Sequence, residues 1–169
     1  MKNVSSHQSR AFAFWGAILF ATGCTGKDES IRFSTDIVAL QEMVVFDSVP
    51  RSAKWEVFGT PEYTGGVPGP TDYVTLIAEM PPIEAAAFNA LPRAGTIWIA
   101  PETARAWLSD PFRTTLAQQK NATIDFSTNP HCRAMQATLR QSREVVSGFA
   151  CAHADNMLVY LTIANYAKT

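Results

Sequence analysis

Two cysteines limit what the second half of this chain can fold into. Cys132 and Cys151 flank a polar midpoint, Arg140-Gln-Ser-Arg143, and both flanks are rich in strand formers. If the flanks pair as a hairpin turning at that midpoint, Cys132 faces Cys151, Ala134 faces Phe149 and Thr138 faces Val145. The two thiols then lie on one sheet face, close enough to be bridged. Three other readings compete, of which two free thiols is the simplest. A helix over residues 133–143 would use the good helix formers of Ala134-Met-Gln-Ala-Thr-Leu139 and keep the bridge without the pairing. A metal site would recruit His131 and His153, which stand beside the cysteines and supply zinc-type ligands. The hairpin register argues against the metal, because it sends the two imidazoles to opposite faces. The expectation is a Cys132–Cys151 disulfide, with no metal and no cofactor.

A disulfide needs an oxidising compartment, and the N-terminus supplies a route to one. Lys2 and Arg10 precede any acid, and an uncharged run from Ala11 to Ala21 follows. That run is too short for a bilayer span of about 20 residues and has the form of an export signal. It ends in Ala21-Thr22-Gly23-Cys24, which resembles the lipobox of bacterial lipoproteins. Ala21 stands where that motif prefers leucine. The resemblance implies cleavage before Cys24, lipidation of its sulfur and acylation of the new amino group. Two or more acyl chains give stable anchoring where one gives marginal binding. With Thr25 rather than an aspartate after the cysteine, the expected address is the outer membrane, facing the periplasm. A plain secretory signal or an uncleaved anchor are the alternatives.

The resulting division is residues 1–23 as signal, 24–34 as lipidated cysteine and polar tether, and 35–169 as one globular domain. The mature chain keeps 12 basic and 15 acidic residues, a net charge of −3. Such a charge gives no field for a nucleic-acid backbone, so the expected partners are the membrane and an envelope protein. A body of this length can bury a full core.

The pattern along the body predicts mixed structure. Ile37–Val45 reads as a helix capped by Thr35 and Asp36, with a strand as the alternative at Val44-Val45. Short strands are expected at Trp55–Thr60 and Asp72–Glu79, joined by residues 61–70, where three Pro and three Gly exclude regular structure. Helices are expected from Pro82 to Leu91, from Pro101 to Leu108 and from Asp110 to Gln119. Strands follow at Thr96–Ala100, Thr123–Ser127, Cys132–Leu139, Glu144–Ala152 and Met157–Asn165. The fold class expected is α+β, an antiparallel sheet with two to four short helices packed on one face. The order Ser52-Ala-x-Trp55, Pro/Gly loop, Val74-Thr-Leu-Ile-Ala strand also resembles small bacterial lipoproteins of unassigned activity, and so implies none.

Motifs for catalysis are sparse. The chain contains no Gly-x-Ser-x-Gly, His-Glu-x-x-His, phosphate loop or Cys-x-x-Cys. His153 with Asp155 could form an imidazole and its orienting acid, although Ala154-Asp-Asn156 has turn composition. Ser147 and Thr162 have no base nearby in the sequence. Trp55, Trp98 and Trp107 could build a ligand platform or simply fill the core. The irregular loop offers Tyr63, Thr64 and Val67 as a partner-binding surface, or as an exposed connection only. The expectation is a lipid-anchored, non-enzymatic protein of the cell envelope with a binding or structural role. The rival readings are a small periplasmic enzyme or metal protein using the His131/Cys132/Cys151/His153 region, and a membrane-anchored inhibitor or immunity protein.

Overall fold

In the computed structural model, residues 33–60 and 73–165 are described. Cys24 and the loop residues Tyr63, Thr64 and Val67 lie outside them. The described elements are α1 (Ile37–Met43), β1 (Val44–Val45), β2 (Lys54–Thr60), β3 (Tyr73–Met80), α2 (Ala85–Ala90), β4 (Thr96–Trp98), α3 (Asp110–Ala117), β5 (Thr123–Asp125), β6 (Cys132–Leu139), β7 (Val145–His153) and β8 (Asn156–Asn165).

Six strands form one antiparallel sheet in the order β1-β6-β7-β8-β3-β2, and β4 and β5 pair as a separate ribbon. The fold is therefore mainly β. Strand alternation sends two sets of apolar side chains to opposite faces of the large sheet. One set includes Leu76, Ala78, Val159 and Leu161, and α1 and α2 cover it with Leu40 and Phe88. The other includes Ile77, Phe149, Leu158 and Tyr160, covered by Phe112 and Leu116 of α3 and by Ile124 of β5. The expectation of helices on one face is corrected here. Both faces are apolar along the central strands, so both need a cover.

Local chemistry explains where the elements end. The Asp36 carboxylate accepts the Ala39 N–H at 3.0 Å and starts α1. The helix stops at Met43, because Val44 and Val45 pair instead with Leu139 and Thr138 of β6. Thus the β-branched pair behaves as its propensity suggests. The helix expected from Pro82 is only the alanine-rich turn Ala85–Ala90. The helix expected over Pro101–Leu108 does not form. Glu102 takes a positive φ of 62°, which interrupts any helix directly after Pro101. The segment is pinned from outside instead. The Tyr160 hydroxyl accepts the Ala100 N–H at 3.0 Å, and the Glu79 carboxylate accepts the Ser109 N–H at 2.9 Å.

The β6–β7 hairpin has the register expected from the cysteines. Cys132 faces Cys151, Ala134 faces Phe149 and Thr138 faces Val145. The disulfide is present, with a Cα–Cα distance of 4.1 Å, and both cysteines are buried beneath α3. The His131 carbonyl accepts the Ala152 N–H, so Cys132 and Cys151 form a non-hydrogen-bonded pair, where facing side chains come closest. Residues 133–139 are strand, not helix.

Candidate functional site

The most elaborate polar arrangement begins where the described chain enters the sheet. Ser34 exchanges two backbone hydrogen bonds with Trp55, at 2.7 and 2.9 Å, on the outer edge of β2. That bridge holds Phe33 beside the start of the strand. The Phe33 ring packs on Trp107 at 5.5 Å between centroids, and the Lys54 ammonium lies 5.6 Å from the Phe33 centroid. From there rings and charges alternate along the second face of β2. Trp107 donates its indole N–H to Glu56 at 2.7 Å. The other Glu56 oxygen meets the Arg105 guanidinium at 3.0 Å. Arg105 in turn stacks over the Phe58 ring at 3.9 Å.

Each member needs the next. Glu56 is only 6% exposed, and an isolated carboxylate at that depth would be strongly unfavourable. Arg105 and the indole satisfy its two oxygens, and Phe58 supports the guanidinium by cation–π attraction. The arrangement ties the 99–109 segment to β2. Both oxygens of the Glu56 carboxylate are taken up within it.

Beside Phe33 lies a depression of about 420 Å3, bordered by Thr35, Arg51, Ser52, Lys54, Glu79 and Asn156 among others. Arg51 and Lys54 are exposed, whereas Glu79 is half-buried and already accepts the Ser109 N–H. The depression therefore sets two cations and two hydroxyls beside one carboxylate, with Ile37, Ala53, Met80 and Pro81 as its apolar part. A second shallow depression, of about 460 Å3, lies between α1, the β6–β7 turn and the end of β8, with Met43, Leu139 and Ile163 as its apolar part.

The residues singled out in the sequence fall in separate places. Trp55 is buried on the first face and donates its indole N–H to the Asp36 carbonyl at 3.0 Å. Trp98 stacks on Tyr73 at 3.9 Å, and Trp107 belongs to the corner just described. No common tryptophan platform exists. His153 is exposed, with its ring edge-on to Phe112 at 6.4 Å, and Asp155 sits in the exposed β7–β8 turn. No hydrogen bond joins them among the described residues. His131 is exposed just before β6, and its N–H is held by the Asn129 side chain at 2.9 Å. The two cysteines between these histidines are consumed by the disulfide, and no group of three or more His, Cys, Asp or Glu is placed to hold a metal among the described residues. Ser147 and Thr162 face each other across β7 and β8.

The Glu56–Arg105–Trp107 arrangement escaped the sequence reading. Its one sequence signal is an acid between Trp55 and Val57 inside an apolar strand, since a carboxylate on a covered sheet face needs a partner. The partner residues lie 49 and 51 positions away, and no local pattern marks them.

No protein-family model, curated protein or solved structure matches the chain.

Proposed function

We propose that the chain is a lipid-anchored lipoprotein of a bacterial cell envelope, held through Cys24 and facing the periplasm. Its domain does binding or structural work and no catalysis. The observation that carries this reading is the Cys132–Cys151 disulfide. A buried bridge across a hairpin belongs to proteins that fold in an oxidising compartment, and it agrees with the export-type N-terminus without depending on it. The position of Cys24 directly after an apolar run and three small residues then favours an anchored product over a secreted one. No helix of the described residues is long and apolar enough to cross a membrane. In this reading the acyl chains on Cys24 are the means of attachment. A binding role is supported by the corner at Phe33, where a half-exposed aromatic pair stands beside the exposed Lys54.

The test is Cys24→Ser in the producing bacterium. Wild-type protein is expected in the detergent-soluble membrane fraction, with a mass increase of acyl chains on its N-terminal peptide. The variant is expected as soluble protein or as unprocessed precursor. A variant processed and membrane-bound like the wild type would overturn the reading.

A further inference from the structure

We propose that the corner formed by Phe33, Trp107, Arg51 and Lys54 is a membrane-facing surface that seats on anionic phospholipid headgroups. The inference rests on the lipid anchor at Cys24 and says which face of the domain the anchor brings to the bilayer.

Three observations meet at this corner. The first is reach. Eight residues, Thr25 to Arg32, separate Cys24 from Phe33, and even fully extended they span about 25 Å. A globule of about 140 residues measures roughly 35 Å across, so the tether holds this corner within reach of the lipid while the far end of the sheet carries no such restraint. The second is side-chain chemistry. Phe33 and Trp107 are a half-exposed aromatic pair, and the Lys54 ammonium rests over the Phe33 ring. Aromatic rings beside basic side chains suit the headgroup region, where one end of a group meets acyl chain and the other water. The third is charge. The depression at the start of β2 carries Arg51 and Lys54, with the hydroxyls of Thr35 and Ser52, against one carboxylate, Glu79, which leaves a local excess of one positive charge. The phosphodiester of one anionic phospholipid headgroup is an acceptor that such cations and hydroxyls can engage.

The mature chain as a whole is negative, at −3, so no general attraction draws it to an anionic surface. Seating is local to this corner. The arginines of the β6–β7 turn, Arg140 and Arg143, are at the opposite end of the sheet from Lys54 and take no part.

The experiment uses full-length, lipidated protein in two kinds of vesicle. One contains phosphatidylethanolamine and phosphatidylglycerol at 7:3, the other phosphatidylcholine alone, and each carries a brominated lipid as quencher. Flotation and the mass of the Cys24 peptide report the anchor. Quenching of Trp107 emission, taken as the difference from Trp107→Phe, reports the corner. Quenching is expected to be about twofold stronger on the anionic vesicles and to fall to the phosphatidylcholine level in the Arg51→Gln/Lys54→Gln double variant. It is expected to be unchanged in Arg143→Gln. Hydrogen exchange at Ser52 and Lys54, slowed on anionic vesicles in the wild type, gives a readout independent of the tryptophan variant. Protein that floats with equal quenching and equal exchange on both vesicles overturns the seating and leaves the anchor standing. An equal loss in Arg143→Gln also overturns it, because charge alone would then explain the effect. Protein without acyl mass that does not float overturns both.

Discussion

Two buried polar side chains set the sensitivity of this fold to single substitutions. Glu56 joins the Trp107 indole and the Arg105 guanidinium, so Glu56→Ala leaves a guanidinium and an N–H without their partner. Removing one member of a buried pair costs about 3–5 kcal/mol, and the partly exposed Arg105 places this site at the lower end. Urea melts are expected to show a loss of about 3 kcal/mol for Glu56→Ala and a smaller one for Glu56→Gln, which keeps an acceptor for Trp107. Replacing Glu56 and Arg105 together by Leu and Met is expected to recover part of the loss, since no charge is then stranded. Tyr160 is the second case. Its hydroxyl accepts the Ala100 N–H under the second face, and Tyr160→Phe removes that acceptor at an expected cost of about 1–3 kcal/mol. Burial raises the phenol above its ordinary value, and the Ala100 N–H offsets part of that. A raised value means that the unfolded chain gives up this proton first. The contribution is complete below the unfolded value of about 10 and is lost as pH rises through the folded value. Wild-type melts should therefore weaken above pH of about 10 by more than those of Tyr160→Phe.

Among the elements, the β6–β7 hairpin was the most legible in the sequence. Two cysteines and a polar midpoint fixed which residues face one another, because a one-residue slip would have sent the thiols to different faces. The Cys132–Cys151 bridge closes a loop with a sequence separation of 19, for which the chain-entropy relation gives about 3 kcal/mol. Cys132→Ala/Cys151→Ala is expected to lose about that much in urea melts, and unreduced wild type is expected to resist alkylation at both positions. The next strand pair carries a different constraint. A Cβ at Gly148 would lie 1.8 Å from the Tyr160 carbonyl oxygen, so β7 approaches β8 as only glycine allows. Gly148→Ala is expected to cost about 3 kcal/mol or more and to speed hydrogen exchange along β7 and β8. Less was legible in the 99–109 segment. Pro101 and the following residues have the composition of a helix start, but Glu56, Glu79 and Tyr160 take the segment's donors from three different strands. Contacts that distant in sequence leave no periodic trace.

At the scale of the molecule, strand alternation in β3, β7 and β8 revealed a sheet but not that both of its faces would be covered. Central strands with apolar residues on both sides imply a layer above and a layer below, and the short helices divide between them. Of the candidate site only Trp107 was singled out in the sequence, as one of three tryptophans. The cysteines marked a hairpin and its bridge, whereas the corner at Phe33 depends on a bridge between Ser34 and Trp55 that no motif announces. The sheet order also has a consequence in time. The β2–β3 hairpin and the β6–β7–β8 meander each form from nearby sequence, but they meet only where β3 pairs with β8, as in Leu76 with Leu161. The last described strand to be synthesised is thus the one that joins the two halves. Until it emerges, each half has an open strand edge, and contacts of such sequence separation form late and slowly. This strand order is a built-in delay: the sheet cannot be completed while β8 is still being made.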